Sequence, residues 1–181
     1  IMNQKDKHDL LIAGEITKKV REYIKTIVKK DKSMLQLTEE IESKILELKG
    51  EIAFPVNLSI NEIAAHHTPS HDDKELTHGL LKVDFGIAIN GWTADGAISF
   101  DLENSEENKK LIIAAEESLK KATEIVSEKK EKIRLNEIGK EIEKTAESHK
   151  LQPIINLSGH SIEKYDLHAG VTIPNTDNSN D

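Results

Sequence analysis

The 181-residue sequence has no cysteine, only four prolines, and few aromatic residues: three Phe, two Tyr and one Trp. Without cysteine the chain has no disulfide, no thiol nucleophile and no thiolate ligand, so any metal ion must be bound by histidine and carboxylate side chains. No apolar run approaches the ~20 residues of a membrane span, and the polar start IMNQKDKHDL is unlike a signal peptide. We therefore expect a cytoplasmic protein that does not bind membranes.

The sequence is rich in charged residues, and acidic residues outnumber basic ones. Charged residues make up 32% of the chain, with 33 acidic against 25 basic side chains and a formal net charge of −8. A nucleic-acid-binding protein usually carries a basic surface, so we expect no nucleic-acid partner. The length suits one domain with a sizeable apolar core.

Apolar residues at helical spacing predict α-helices over residues 6 to about 30, 38–50, 105–126 and 136–150. Thr38 is the predicted N-cap of the second helix and Gly50 its C-terminal stop. A charged connector precedes the fourth helix. Residues 51–73 are rich in turn-forming residues, which predicts irregular structure. Residues 151–175 mix strand-like runs with Gly, Pro and His, and the polar end 176–181 is predicted to be a loop.

The stretch LLKVDFGIAINGWTADGAISF, residues 80–100, places two aspartates in an apolar hairpin, although Asp is disfavoured in strands. The dipeptide Asn90-Gly91 favours a two-residue type I′ turn. It predicts three pairs: Ile89 with Trp92, Gly86 with Asp95, and Asp84 with Ala97. Asp84 and Asp95 then share one face, with Cα atoms about 7–8 Å apart.

The remaining residues of that face are small: Gly86, Ala88, Thr93, Ala97 and Ser99. Two interpretations stay open. The face could be the solvent side of an antiparallel sheet, and a bulge would shift the register by one residue. Alternatively, a divalent cation relieves the repulsion between two neighbouring carboxylates in a partly enclosed pocket.

Carboxylate metal sites usually include imidazole, and three histidines lie in suggestive contexts. His160 is in the glycine-flanked turn SGHSI, eight residues before His168 in YDLHAG, and His66 is in AAHHTP. A glycine beside a histidine allows the backbone to approach a ligand closely. Taken singly, each is more often a hydrogen-bonded structural residue than a ligand.

Three stretches together, AFPVNLSINEIAAHHTP, LLKVDFGIAINGWTADGAIS and PIINLSGHSIEKYDLHAGVTIPN, resemble in order and spacing the motifs of type II methionine aminopeptidases. The resemblance covers nearly the whole chain. It implies an α+β pita-bread fold, an antiparallel sheet covered by helices. Residues 1–181 would form the N-terminal half of the catalytic domain, with no separate second domain.

The resemblance also implies a dinuclear site of two divalent metal ions (Co, Mn, Fe or Zn), with Asp84, Asp95 and His160 as ligands. It implies His66 and His168 as the catalytic histidines that contact the scissile peptide. The implied substrate-binding residues are Phe54, His66, Leu167 and His168. The expected reaction is removal of the N-terminal methionine from peptides or nascent chains by a metal-activated water molecule.

One part of the family pattern is not matched. Two glutamate ligands are expected beyond the IPN motif, and the sequence ends at Asp181 before either of them. A second chain could supply them, or the sequence could be part of a longer enzyme. It could also be a non-catalytic relative that binds nascent chains or ribosomes. We expect an aminopeptidase that requires the C-terminal half.

Overall fold

The structure, a computed structural model, describes residues 2–128 and 133–179. The chain forms two compact units. Unit 1 comprises Ile1–Ser105 and Glu163–Asp166, and unit 2 comprises Glu106–Ile162 and Leu167–Asp181. Residues 129–132 of the predicted connector and residues 180–181 of the predicted loop lie outside the described residues. Among the helices described, none combines the length and apolar character that a membrane crossing requires.

The first helix, α1 (Gln4–Ile27), confirms the helix predicted from residue 6. Asn3 caps it, with its side-chain Oδ1 accepting a hydrogen bond from Asp6 N at 2.9 Å. Its buried side follows the predicted stripe, Ala13, Ile16, Val20 and Ile24. Because these residues recur every three or four positions, they form one face that packs on the sheet.

The second helix, α2 (Met34–Glu47), begins before the predicted start. Its N-cap is Ser33, whose Oγ accepts from Gln36 N, and Thr38 is buried inside the helix, so the predicted N-cap is wrong. Met34 and Leu37 extend the buried stripe of Ile41 and Ile45, and all four are fully buried. Burial of this extra turn decides where the helix starts.

The predicted role of Gly50 is also wrong. The residue with the left-handed conformation after α2 is Lys49 (φ +64°). A Cβ on Gly50 would lie 2.8 Å from Ile87 Cγ2, so this glycine allows close packing against the sheet.

Unit 1 contains a three-stranded antiparallel sheet in the order β1-β2-β3: β1 (Glu51–Ile60), β2 (Leu80–Ile89) and β3 (Trp92–Asp101). β1 occupies the first ten residues of the stretch predicted to be irregular, so that prediction is wrong there. Its pairing with β2 is interrupted on both sides of Phe54, next to Pro55, which has no N–H to donate. Val56 N instead donates to Glu42 Oε1 of α2 at 3.1 Å.

The β2–β3 hairpin confirms the predicted register, with Ile89 opposite Trp92, Gly86 opposite Asp95 and Asp84 opposite Ala97. Asn90 and Gly91 have φ of +51° and +83°, as a type I′ turn requires. Tyr165 N donates to Gly91 O at 2.8 Å, and the Tyr165 ring occupies the space that a Cβ on Gly91 would need.

The core of unit 1 lies between this sheet and the two helices. α1 packs on β2 and β3, and α2 packs on β1. The sheet residues buried in the core are Val56, Leu58, Ile60, Leu81, Val83, Phe85 and Ile87. The four from β2 alternate along the strand and lie on the face opposite that of Asp84 and Asp95.

Unit 2 contains the helices α3 (Glu106–Glu128) and α4 (Leu135–Ser148), which pack on each other, and the short strands β4 (Gly159–His160) and β5 (Thr172–Ile173). Both helices were predicted, as were strand-like runs in residues 151–175. The secondary structure of the two units is therefore the α+β, antiparallel class expected from the sequence.

Candidate functional site

The two aspartates of the hairpin lie on one face of the sheet, as their register requires. Asp84 is half-buried and Asp95 is exposed. The same alternation puts Lys82 on this face, so the sequence reading of a face without long polar side chains is incomplete. Lys82 Nζ donates to Asn61 O at 2.6 Å, beyond the end of β1. Desolvation by burial lowers the pKa of Lys82 below its ordinary value.

Asp84 is joined to the neighbouring strand by a hydrogen-bond chain that the sequence did not reveal. Thr68 Oγ1 donates to Asn57 Oδ1 at 2.7 Å, which orients the amide so that Asn57 Nδ2 faces Asp84 Oδ2 at 3.4 Å. Asn57 lies directly opposite Asp84 in the β1–β2 pairing. A ligand carboxylate is commonly oriented by such a partner.

Phe54 lies opposite Gly86, and its ring covers that glycine. A Cβ on Gly86 would lie 2.3 Å from Phe54 Cε1. Although Gly86 is small, the space above it is not open, because the Phe54 ring fills it. Phe54 is nevertheless half-buried, so part of the ring remains accessible beside the aspartate face.

His66 is exposed and has φ +63°, a left-handed conformation that is uncommon for a non-glycine residue. The next residue anchors the loop, because His67 O accepts a hydrogen bond from Leu58 N of β1 at 2.7 Å. Residues in such conformations concentrate at functional sites. Seven other described non-glycine residues also have positive φ, so this conformation alone does not assign a role to His66.

In unit 2, His160 lies in β4 and pairs with Thr172 of β5, so the predicted turn is wrong. The preceding glycine fits against β5, since a Cβ on Gly159 would lie 3.2 Å from Ile173 Cβ. The rings of His160 and His168 are close, with centroids 4.4 Å apart and planes at 57°. The two imidazoles singled out in this part of the sequence are thus neighbours.

Backbone hydrogen bonds join Ser161, the residue after His160, to residues that follow His168. Ser161 N donates to Val171 O at 2.8 Å, and Ala169 N donates to Ser161 O at 3.0 Å. Leu167 is half-buried and His168 is exposed. Of the seven candidate residues, unit 1 carries Phe54, His66, Asp84 and Asp95, and unit 2 carries His160, Leu167 and His168.

Unit 1 thus carries two aspartates on one face of an antiparallel hairpin, and unit 2 carries two neighbouring imidazoles. Carboxylate and imidazole are side-chain types that bind divalent metal ions. Residues 9–181 match the model of metallopeptidase family M24, and the chain belongs to this family.

Curated relatives agree with this assignment. The chain is 43% identical over 172 residues to the methionine aminopeptidase of Thermococcus onnurineus and 45% identical over 172 residues to that of Pyrococcus horikoshii. Each alignment covers 94% of this chain and 57% of the relative, so the chain spans little more than half the length of these relatives. It is 37% identical to the methionine aminopeptidase of Methanothermus fervidus, covering 93% of this chain and 95% of that one.

Solved structures confirm the pita-bread fold. The methionine aminopeptidase of Thermotoga maritima superposes with a TM-score of 0.82 at 26% identity, covering 96% of this chain and 72% of that one. The prolidase of Pyrococcus horikoshii superposes with a TM-score of 0.80, covering 97% and 50%. At 18% identity, the prolidase likeness bears on the fold alone.

Proposed function

We propose that this chain carries the N-terminal part of a type II methionine aminopeptidase, which removes the initiator methionine from peptides and nascent chains in the cytoplasm. The observation that carries the proposal is the confirmed hairpin register, which puts Asp84 and Asp95 on one face. The family assignment and the identity to proteins named methionine aminopeptidase support it.

In this proposal Asp84, Asp95 and His160 are ligands of a centre of two divalent metal ions. The donor set fits such ions, because carboxylate and imidazole together suit Mn, Fe, Co or Zn. When bound, the ions supply Lewis-acid activation of water and of the scissile carbonyl. Asn57 orients the Asp84 carboxylate, with its own amide fixed by Thr68.

His66 and His168 are proposed to contact the scissile peptide and to stabilise negative charge that develops on its carbonyl oxygen. Phe54 and Leu167 are proposed to form the wall of the methionine pocket. We propose that two further glutamate ligands complete the centre and come from the rest of the protein or from a second chain.

Asp95→Asn tests the ligand assignment. It removes one carboxylate charge with little change in shape, and we expect release of methionine from a Met-Ala-Ser peptide by the intact protein to fall by more than about 100-fold. Losing even an outer-shell partner of a metal typically costs about 10–100-fold. The matched control is Asp31→Asn, which makes the same charge change in an exposed turn where Asn tolerates the observed φ of +60°. Undiminished turnover in Asp95→Asn would refute the assignment.

Mass spectrometry of the intact preparation tests the non-catalytic alternative. A larger polypeptide, or a second one carrying two glutamate motifs, together with peptidase activity supports the enzyme. A lone 20.3 kDa species that binds nascent chains or ribosomes and does not cleave Met-Ala-Ser supports a binding protein.

A further inference from the structure

A second group of metal-ligating side chains lies in unit 1, in the loop between β1 and β2. The ligand atoms of His67, Asp73 and Glu75 all lie within 4.8 Å of one another. None of the three belongs to the proposed catalytic centre.

Backbone hydrogen bonds hold each of these residues in place. His67 O accepts from Leu58 N of β1 at 2.7 Å, and Glu75 O accepts from Met34 N at the start of α2 at 3.0 Å. Asp73 N donates to Ser70 O at 3.0 Å, and Asp73 Oδ1 accepts from Glu75 N at 2.7 Å. Three side chains therefore project into one small volume from an anchored loop.

The distance between the His67 and Glu75 side chains fits two ligands of a shared cation better than a direct hydrogen bond. His67 Nε2 and Glu75 Oε2 are 4.0 Å apart, which is too long for a hydrogen bond. Two ligands about 2.1 Å from a tetrahedral Zn²⁺ lie about 3.4 Å apart. A shift of well under 1 Å would therefore bring these two atoms to the separation of a zinc site.

His67 Nε2 provides an independent indication. The His67 side chain is 35% exposed, yet its Nε2 atom is shielded from solvent and has no hydrogen-bond partner among the described residues. Buried polar atoms are nearly always satisfied, and an exception calls for an ion or a water molecule. The shielded nitrogen belongs to the same group as the two carboxylates.

We propose that His67, Asp73 and Glu75 form a second divalent-cation site that takes Zn²⁺ or a similar first-row transition ion. Imidazole nitrogen and carboxylate oxygen both bind zinc, whereas Ca²⁺ and Mg²⁺ prefer oxygen ligands alone. Three protein ligands leave a position for water. The cation cross-links His67, whose carbonyl pairs with β1, to Glu75, whose carbonyl pairs with the start of α2. This cross-link stabilises the loop.

The test counts zinc by native mass spectrometry and measures its affinity by calorimetry, with ZnCl₂ alone as the ligand. The background protein carries Asp95→Asn and His160→Asn, which remove proposed catalytic ligands from both units. In this background we expect Glu75→Gln to remove one zinc ion or weaken its binding at least tenfold. The matched control is Asp72→Asn, an exposed neighbour in the same loop, which should retain the ion.

Hydrogen exchange supplies a readout that does not depend on catalysis. Zinc should slow amide exchange in residues 61–79 of the background protein and of Asp72→Asn, but not of Glu75→Gln. If the background variants do not fold, Glu75→Gln and Asp72→Asn are compared in the otherwise wild-type chain, where Glu75→Gln should bind one zinc ion fewer. Equal zinc binding by Glu75→Gln and Asp72→Asn, or no effect of zinc on loop exchange, would overturn the proposal. Failure of the peptidase assay leaves these measurements unaffected.

Discussion

At the scale of single residues, Thr77 connects the segment before β2 to the turn between α1 and α2. It is fully buried, and its Oγ1 donates to Lys29 O at 2.6 Å while accepting from Lys32 N at 3.0 Å. Its backbone N–H and C=O pair with Lys32 O and Asp31 N, both at 2.8 Å. One threonine thus satisfies several backbone groups of a connection that contains no regular structure.

Thr77→Val keeps the volume and removes the hydroxyl, leaving Lys29 O and Lys32 N without this partner. We expect the free energy of unfolding to fall by about 1–3 kcal/mol, the cost of unsatisfied buried polar groups. Thr77→Ser keeps the hydroxyl and should lose less than half as much. Urea unfolding measures both, and a valine variant as stable as the wild type would contradict the assigned role.

The contact between Gly86 and Phe54 leads to a second prediction at this scale. Gly86→Ala places a methyl group where the Phe54 ring now lies. We expect a loss of about 1–3 kcal/mol in the free energy of unfolding, as is usual for overpacking. In a Phe54→Ala background the same change should cost much less, because the ring has been removed.

The control for this pair is Gly14→Ala in α1, where nothing lies within 4 Å of the added Cβ. We expect that change to stabilise by about 0.5–1 kcal/mol, the helix propensity difference between Gly and Ala. Equal costs of Gly86→Ala in the two backgrounds would show that Phe54 does not fill the space above this glycine.

At the scale of elements, the sequence was most informative where the structure is decided locally. The hairpin register follows from a two-residue Asn-Gly turn, which fixes every pair outward from Ile89 and Trp92. β1 was missed because its turn-forming residues resemble a loop. It becomes a strand through pairing with β2, from Ile60 with Leu81 to Glu51 with Ala88, and such long-range pairing leaves no local signature. The start of α2 was misplaced for a related reason, since burial of Met34 outweighed the capping preference of Thr38.

The connection between α1 and α2 also contains Lys32, whose side chain is nearly buried in an ion pair. Lys32 Nζ lies 2.5 Å from Glu40 Oε2, with side chains 8% and 31% exposed. The hydrogen bond from Lys32 lowers the pKa of Glu40, against the opposing effect of desolvation. The folded state therefore holds the Glu40 proton less tightly than the unfolded state does.

The lowered pKa of Glu40 determines how the free energy of unfolding changes with pH. The pair stabilises the fold fully above the unfolded pKa of Glu40, about 4.3, and this contribution is lost as the pH falls through the lower, folded pKa. Glu40→Gln should cost about 1–2 kcal/mol at pH 7, at the low end for a hydrogen bond to a charged group because the amide oxygen still accepts from Lys32. It should also flatten the acid limb of the stability curve.

Glu39→Gln, at an exposed position in the same helical turn, is the matched control. Denaturant titrations between pH 3 and pH 7 compare the three proteins. The Lys32–Glu40 assignment is wrong if Glu39→Gln and Glu40→Gln change the acid limb equally.

At the scale of the whole molecule, the sequence predicted the fold class correctly. It also named candidate site residues, but not the contacts that hold their side chains. Asp84 and Asp95 are close in sequence, and the two-residue turn between them fixes the register that puts both on one face. The Thr68–Asn57–Asp84 chain depends on β1, which the sequence did not reveal. The contact between His160 and His168 depends on a two-residue strand pair that is too short for a periodic signal.

The proposed function makes Asp95 and His160 ligands of one metal centre. A ligand that binds only the folded state raises stability by about 2.7 kcal/mol at 100 times its dissociation constant. Mn²⁺ should therefore raise the melting temperature, and Asp95→Asn and His160→Asn should each remove that increment. These measurements use protein that carries Glu75→Gln, which disables the proposed second site of His67, Asp73 and Glu75. The double variant should then lose no more of the Mn²⁺-induced rise in melting temperature than either single variant does. Losses that add would mean that the two residues bind separate ions, and an unchanged increment in His160→Asn would remove this histidine from the centre.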